Sequence, residues 1–157
     1  MKTILFVCTG NTCRSPMAAG LLKHLLEQSH IEDIQVASAG LAVFFEEGAH
    51  QNAIATMEDL NIDISQHRAR QADEDLLLDA DLILTMTQSH RDQILAVLPQ
   101  LKDRVFTLLE FAQEGEEGSL DIRDPYALPK EEYQKTAQEI EAALKKALPK
   151  IIKFFSS

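Results

Sequence analysis

The fold of this 157-residue chain is decided by one stretch, Val7-Cys8-Thr9-Gly10-Asn11-Thr12-Cys13-Arg14-Ser15-Pro16. Residues 4–7 before it form an apolar run typical of a buried strand, and apolar pairs recur after it at a helical spacing from Met17 to Leu26. We expect Ser15 to be the N-cap of this helix and Pro16 its first residue. The stretch is therefore predicted to be a loop between a strand and a helix N-terminus, where backbone N–H groups favour an anion.

Two side chains, Cys8 and Arg14, give the predicted loop a reactive chemistry. A helix N-terminus and a guanidinium both stabilise a thiolate, which is the nucleophilic form of cysteine. The planar fork of Arg14 can hold two oxygens of a phosphoryl group, and Gly10 and Asn11 tolerate the left-handed backbone that turns successive N–H groups toward one anion. The pattern predicts a nucleophile aimed at phosphorus; the alternative is a buried core thiol beside a solvated arginine. The predicted phosphate-binding loop consists of Thr9, Gly10, Asn11, Thr12, Cys13 and Ser15.

The same loop resembles the Cys-x5-Arg-Ser signature of the low-molecular-weight protein-tyrosine phosphatases, and more narrowly that of their bacterial protein-arginine phosphatase branch. The loop is the specific part of this resemblance, and other segments support it over most of the chain. These segments are Ser38-Ala39-Gly40, His67-Arg68-Ala69-Arg70, residues 81–86, Val105-Phe106-Thr107-Leu108 and Asp124-Pro125-Tyr126. The resemblance implies a hydrolase that dephosphorylates protein side chains through a cysteinyl phosphate, with phosphorylated proteins as its partners.

Strands and helices are predicted to alternate along the chain. Helical segments are expected over residues 16–28, 53–60, 75–78 and 94–98 and from Pro129 onward, and further strands over residues 35–38, 82–86 and 105–108. Alternation of this kind predicts an α/β fold, in which a parallel sheet carries helices on both faces and binds ligands at the carboxyl ends of its strands. The resemblance implies a three-layer domain with four strands in the order 2-1-3-4.

Length, charge and composition narrow the possible functions. We expect a single domain over residues 1–157, and the net charge of -10 argues against a nucleic-acid partner. Without a long apolar run or a signal-peptide pattern, the expected protein is cytoplasmic and has no membrane partner; a monomer is favoured. Two cysteines, both in the loop, suit a reducing compartment. The acidic stretch over residues 110–124 is interpreted as a solvated loop, with an acidic rim for basic protein segments as the alternative.

Asp124 is the candidate acid of the predicted reaction. Its position before Pro125 holds the carboxylate on a stiff, extended backbone. The resemblance implies that Asp124 protonates the leaving group and then deprotonates the attacking water. Tyr126 is expected to line the mouth of the pocket, with a surface aromatic as the alternative. Ala127-Leu128 replaces the usual pair of glycines, and this departure puts the mobility of the acid loop in doubt.

Supporting roles are predicted for several other residues. Ser15 is a candidate donor to the Cys8 sulfur, and the resemblance implies that Asn11 and Ser38 hydrogen-bond behind the loop. Cys8 and Cys13 are candidates for a reversible disulfide. The five histidines lack metal-ligand spacing and no nucleotide motif occurs, so no metal or cofactor is expected. His67, with Arg68 and Arg70, is interpreted as a structural or surface cluster.

The prediction of substrate class rests on Thr12. In the tyrosine-specific relatives this position resembles a bulky aliphatic residue that packs on a phenyl ring, whereas Thr12 is smaller and polar, which favours phosphoarginine. A phosphotyrosine phosphatase is the main alternative. Arsenate reduction coupled to thioredoxin needs cysteines outside the loop, which the chain lacks. A phosphoryl carrier would leave the presence of Arg14 and Asp124 unexplained. A non-catalytic phosphate-binding module would leave the presence of Cys8 unexplained.

Overall fold

A computed structural model of the chain describes residues 1–113 and 119–156. Within these ranges, four parallel strands form one sheet in the order β2-β1-β3-β4, which confirms the predicted order. The strands are β1 (Lys2–Cys8), β2 (Ile34–Gly40), β3 (Leu82–Thr85) and β4 (Val105–Thr107). The α-helices are α1 (Arg14–Gln28), α2 (Gln51–Glu58), α3 (Glu74–Asp79), α4 (Gln88–Val97), α5 (Leu108–Phe111) and α6 (Lys130–Ser156), with a single 3-10 turn at Pro99–Leu101.

The sheet is covered by helices on both faces, because its strands are apolar on both sides. Ile4 and Phe6 of β1 pack in a cluster with residues of α1, α2, α5 and α6. Leu5 and Val7, which point to the opposite face, pack with residues of α3 and α4. All four side chains are fully buried, and each contributes roughly 1.5–3 kcal/mol of burial free energy. The predicted three-layer α/β architecture is confirmed.

The carboxyl ends of the strands gather at one edge of the sheet. Cys8, the last residue of β1, lies opposite Gly40, the last residue of β2. A Cβ atom on Gly40 would lie 2.5 Å from the Thr9 carbonyl oxygen, so only glycine lets the end of β2 approach the loop this closely. The sheet therefore presents Cys8 and the residues after it at the edge where ligands bind in folds of this type.

Several predicted boundaries are corrected by the structure. Helix α1 begins at Arg14 with Cys13 as its N-cap, so Ser15 is not the N-cap and Pro16 is the third helical residue. A proline is tolerated there because first-turn N–H groups have no intrahelical acceptor. Leu108 is not part of β4 but begins α5, since Thr107 and Glu110 form a capping box.

Two further predictions concern the end of α2 and the acidic stretch. Leu60, expected in the second helical segment, lies beyond the end of α2 and is partly exposed. Residues 114–118 of the acidic stretch, which include Glu114, Glu116 and Glu117, lie outside the described residues. In the described part of the chain, no helix combines the length and apolar character needed to cross a membrane.

Candidate active site

The loop after β1 forms one wall of a cavity of about 260 Å³ at the carboxyl edge of the sheet. Every residue from Cys8 to Arg14 lines this cavity, which we call the loop cavity. Three residues from distant parts of the sequence complete its lining, namely Glu47, Asp124 and Tyr126. At the base of the loop, α1 begins, and its first N–H groups have no intrahelical acceptor. The cavity therefore combines a cysteine, a guanidinium and a helix N-terminus, as an anion site requires.

The Cys8 sulfur lies among hydrogen-bond donors. The Asn11 N–H donates to Cys8 Sγ at 3.3 Å, and Ser15 Oγ lies 2.8 Å from the same sulfur. Since Asn11 Nδ2 donates to Ser15 Oγ at 2.8 Å, the hydroxyl hydrogen of Ser15 is left to point at the sulfur. Both contacts place hydrogen-bond donors around the Cys8 sulfur. The Ser15 hydroxyl thus hydrogen-bonds to the Cys8 sulfur instead of capping α1.

Asn11 holds the back of the loop through all of its polar groups. Its side-chain nitrogen also donates to Ser38 Oγ at 3.0 Å, its Oδ1 accepts from the Arg70 N–H at 3.0 Å, and its carbonyl oxygen lies 2.7 Å from His67 Nε2. The residue is fully buried and has a positive φ of 58°. Of the two residues that tolerate a left-handed backbone, Asn11 adopts it and Gly10 does not.

His67 belongs to this set of contacts and not to the reacting centre. Burial lowers the pKa of its imidazole below the ordinary value, and the neighbouring Lys23 and Arg70 act in the same direction. Its ring nitrogen instead meets the Asn11 carbonyl behind the loop. The interpretation of His67 and Arg70 as structural residues therefore agrees with their contacts, and those contacts are to the phosphate-loop residue Asn11.

Arg14 and Asp124 meet across the loop cavity although 109 residues separate them in the sequence. Arg14 is buried, its Nη1 donates to the Ile122 carbonyl oxygen at 2.9 Å, and its Nη2 lies 3.5 Å from Asp124 Oδ2. The Asp124 side chain is 51% exposed and its Oδ1 accepts from the Tyr126 N–H. A buried guanidinium and a half-exposed carboxylate thus line the same cavity as Cys8.

The loop after Asp124 is a tight turn. The Leu128 N–H donates to the Pro125 carbonyl oxygen at 2.9 Å, and Ala127 has a positive φ of 66°. An alanine in this conformation costs about 1 kcal/mol relative to glycine, since its Cβ crowds the backbone. The departure from a glycine pair noted in the sequence therefore leaves the turn formed but less favourable. Tyr126 is 62% exposed at the cavity mouth.

Cys13 lines the loop cavity together with Cys8 and also contacts α6. It is buried, and its sulfur lies 3.4 Å from the hydroxyl of Tyr133 on α6. Burial raises the pKa of the Cys13 thiol above its ordinary value, so this cysteine is less easily ionised. Both cysteines are free in this structure.

Sequence reasoning missed His90, which contacts the loop from the first turn of α4. Its Nε2 lies 2.8 Å from Thr9 Oγ1, and its Nδ1 has no hydrogen-bond partner among the described residues. Burial, together with the charge of Arg14, lowers the pKa of His90 to about 4, so the ring is neutral at neutral pH. Its place just after β3, at the carboxyl edge of the sheet, is the signal that would have found it.

Three more residues near the cavity were not predicted. His50 donates its backbone N–H to the Thr12 carbonyl oxygen at 2.9 Å, and its ring stacks on Tyr133 with centroids 5.1 Å apart. Glu47 lines the cavity mouth. None of these carries a local sequence signal, because each reaches the loop through tertiary contacts alone. No group of three or more potential metal ligands is present in residues 1–113 and 119–156.

Comparison with known proteins agrees with this geometry. Residues 3–154 match the family model of the low molecular weight phosphotyrosine protein phosphatases. The chain belongs to this family. A protein-arginine-phosphatase from Geobacillus stearothermophilus is 39% identical over 150 residues, which cover 94% of this chain and 95% of that relative. A probable low molecular weight protein-tyrosine-phosphatase from Ralstonia nicotianae is 36% identical, over 96% of this chain and 97% of that relative.

A solved structure of the same family bears on the chemistry of the loop. It is a YwlE arginine phosphatase in which a cysteine-to-serine mutant carries a phosphorylated active-site serine. The two chains are 34% identical, with a TM-score of 0.85 over 96% of this chain and 95% of that one. The predicted family is therefore confirmed, and with it an enzyme of the phosphatase class.

Proposed function

We propose that this chain is a protein phosphatase in which Cys8 forms a cysteinyl phosphate and which favours phosphoarginine over phosphotyrosine. The observation that carries the proposal is the surroundings of the Cys8 sulfur. It sits at the end of β1, receives hydrogen bonds from Asn11 and Ser15, and shares its cavity with Arg14 and Asp124. A buried core thiol would not need these donors, and a phosphoryl carrier would not need an acid.

The first step of the reaction transfers the phosphoryl group to sulfur. Arg14 and the N–H groups at the start of α1 bind the phosphoryl oxygens, and the Cys8 thiolate attacks phosphorus. As the S–P bond forms, the P–N bond of phosphoarginine breaks, and Asp124 gives its proton to the departing guanidine nitrogen. With phosphotyrosine the bond that breaks is P–O, and the phenolate oxygen takes the proton.

The second step releases phosphate. Asp124, now a carboxylate, takes a proton from a water that attacks phosphorus, and the S–P bond breaks. The bonding electrons return to the Cys8 sulfur, where the Ser15 hydroxyl at 2.8 Å stabilises the thiolate as it leaves. The roles of all these residues are part of the proposal, as are those of Thr9, Gly10 and Ser38 in holding the loop. Arsenate reduction through further cysteines is disfavoured, because both cysteines of the chain lie in the loop.

Thr12 supports the preference for phosphoarginine. It lines the loop cavity together with Asp124 and Tyr126, and its Oγ1 lies 3.8 Å from Cys13 Sγ. A threonine offers little apolar surface to a phenyl ring, whereas the N–H groups of a guanidinium can donate to its hydroxyl and to the Asp124 carboxylate. The direct test is kcat/KM on one peptide sequence that carries either phosphoarginine or phosphotyrosine; we expect phosphoarginine to be the better substrate.

Substitution of Thr12 by isoleucine is expected to shift this preference toward phosphotyrosine. The added apolar surface should raise kcat/KM on the aryl substrate by about tenfold, within the one to three kcal/mol that a pocket contact of this kind supplies. Thr12→Val, which removes the hydroxyl but keeps the shape, separates polarity from volume. If the wild type already prefers phosphotyrosine and Thr12→Ile leaves the ratio unchanged, Thr12 does not select the substrate.

A second expectation is that Cys13 protects Cys8 from irreversible oxidation. Peroxide converts the Cys8 thiolate to sulfenic acid; the Cys13 thiol then attacks that sulfur, a disulfide forms and water leaves. Two thiols reduce the disulfide again. We expect dithiothreitol to restore most of the activity of peroxide-treated wild type but less than half of that of Cys13→Ser. Equal recovery in the two proteins counts against the disulfide.

The proposal extends to the setting of the enzyme. We propose a single-domain, monomeric protein in the cytoplasm, with phosphorylated proteins as its substrates. Support comes from the two free cysteines in the candidate site, since a thiolate nucleophile needs a reducing compartment. The net charge of -10 supports the absence of a nucleic-acid partner.

A further inference from the structure

A second cavity, of about 390 Å³, opens beside the loop cavity. It is lined by residues 47–51 with Thr12 and Tyr126, and we call it the side cavity. Thr12, Glu47 and Tyr126 line both cavities, so the two are contiguous. A side chain whose phosphoryl group reaches Cys8 would therefore leave its neighbours in the polypeptide close to the side cavity.

The side cavity has the chemistry of a site for a cation. Among the described residues that line the side cavity, Glu47 is the only one with a carboxylate, and none is a lysine or an arginine. Glu47 is exposed, and within the described ranges no ion pair compensates its carboxylate. Tyr126, which is also exposed, lines the same cavity. A carboxylate beside an aromatic face attracts an ammonium or guanidinium group through charge and through the ring quadrupole.

The side cavity is held in place relative to the loop. The His50 N–H donates to the Thr12 carbonyl oxygen at 2.9 Å, and the Ala69 N–H donates to the Glu47 carbonyl oxygen at 2.7 Å. The His50 ring lies between two tyrosines, stacked on Tyr133 and edge-to-face with Tyr126 at a centroid distance of 6.0 Å. Because these contacts fix the lining residues to the loop, little ordering is needed when a side chain enters.

We propose that the side cavity is a subsite for a lysine or arginine side chain next to the phosphorylated residue of the substrate. The inference rests on the proposed function in one respect, since it requires a polypeptide substrate. Electrostatic interactions orient the substrate across the two cavities. The phosphoryl group is drawn to Arg14 and the start of α1, and it is repelled by Glu47, which in turn attracts the neighbouring cation.

The test uses phosphopeptides that differ in one flanking charge. In each pair, a glutamine at one of the two positions on either side of the phosphorylated residue is replaced by lysine. We expect wild type to prefer one lysine peptide by roughly five- to tenfold in kcat/KM, mostly through KM, and this preference to shrink at high salt because the pair is exposed. Glu47→Gln should reduce the preference to less than about twofold.

A matched control lies next in the sequence. Glu46 is also exposed but lines a different cavity, together with Phe44 and Phe45, so Glu46→Gln makes the same change in net charge without touching the side cavity. It should keep the full preference for the lysine peptide. The inference is overturned if wild type shows no preference at any position, if Glu47→Gln keeps it, or if Glu46→Gln loses it equally.

Failure of the proposed function gives a different pattern. In that case the enzyme hydrolyses a small aryl phosphate but none of the peptides. Equilibrium binding of the same peptide pairs to Cys8→Ser, which cannot turn them over, then decides the subsite separately. Tighter binding of a lysine peptide that is lost on combining Cys8→Ser with Glu47→Gln supports the subsite, and equal affinities overturn it.

Discussion

Replacement of Cys8 by serine is expected to lower kcat by about 10⁴-fold or more while phosphate binding changes by less than about threefold. The serine hydroxyl stays protonated and is a far weaker nucleophile than a thiolate that accepts hydrogen bonds from Asn11 and Ser15. The groups that hold the oxyanion, Arg14 and the N–H groups at the start of α1, are unchanged. Steady-state hydrolysis of p-nitrophenyl phosphate and calorimetric titration with inorganic phosphate measure the two quantities.

The matched control is Cys13→Ser, which makes the same chemical change in the same loop. Because the Cys13 sulfur contacts the Tyr133 hydroxyl and is not the proposed nucleophile, this variant should retain kcat within about threefold under reducing conditions. A Cys8→Ser protein with substantial turnover, or one that loses phosphate binding while its fold is intact, would remove Cys8 from the nucleophile role.

Substitution of Asp124 by alanine should have an effect that depends on the leaving group. A phenolate with a high basicity needs a proton as it departs, so kcat/KM on phenyl phosphate should fall by 10²- to 10⁴-fold, the range of a general acid. p-Nitrophenyl phosphate has an activated leaving group and should lose less than about tenfold. The contrast between the two substrates, measured in parallel, isolates proton transfer from any loss of fold.

The ion pair between Arg14 and Asp124 provides a check on this reading. Loss of the carboxylate 3.5 Å from Arg14 Nη2 frees the guanidinium, so phosphate should bind to Asp124→Ala at least as tightly as to wild type. Asp124→Asn, which keeps the shape of the side chain, should resemble Asp124→Ala in the contrast between substrates. Equal losses on both aryl phosphates would assign Asp124 to the loop structure and not to proton transfer.

The parts of the site that could be predicted are those formed by consecutive segments of the sequence. The strand, the loop and the helix that carry Cys8 and Arg14 are consecutive, so their order alone places a cysteine and a guanidinium around a helix N-terminus. Asp124 could be found only through the resemblance to the Asp-Pro-Tyr motif, because the fold brings it to Arg14 from the far end of the chain. The strand order likewise came from the resemblance, since periodicity does not specify neighbours in a sheet.

The errors have a common physical origin in tertiary contacts that override local preference. Ser15 has the side chain of an N-cap, but Asn11 and Cys8 use its hydroxyl, and the helix begins earlier. Asn11 adopts a left-handed backbone, and its side chain contacts Ser38 and Arg70 behind the loop. Neither the role of Ser15 nor the conformation of Asn11 can be predicted from the neighbouring residues in the sequence alone.

His90 and Glu47 show a second limit of sequence reasoning. Each approaches the loop from a segment whose own pattern predicts only a helix start or a surface loop. His90 contacts Thr9 because α4 follows β3 at the same edge of the sheet, and Glu47 reaches the cavity because residues 47–50 are tied to the loop at Thr12. Both residues are placed by tertiary contacts, which no local pattern in the sequence specifies.

The central claim, a phosphoryl group carried by Cys8, is tested most directly by trapping it. Wild type or Asp124→Ala would be mixed with phosphorylated substrate, quenched with acid within milliseconds, digested and analysed by mass spectrometry. We expect one phosphoryl group on the peptide that contains Cys8, in greater yield in Asp124→Ala with an activated aryl phosphate, because hydrolysis of the intermediate then lacks its base. Turnover without any phosphorylated Cys8, or with the phosphoryl group on another residue, would contradict it.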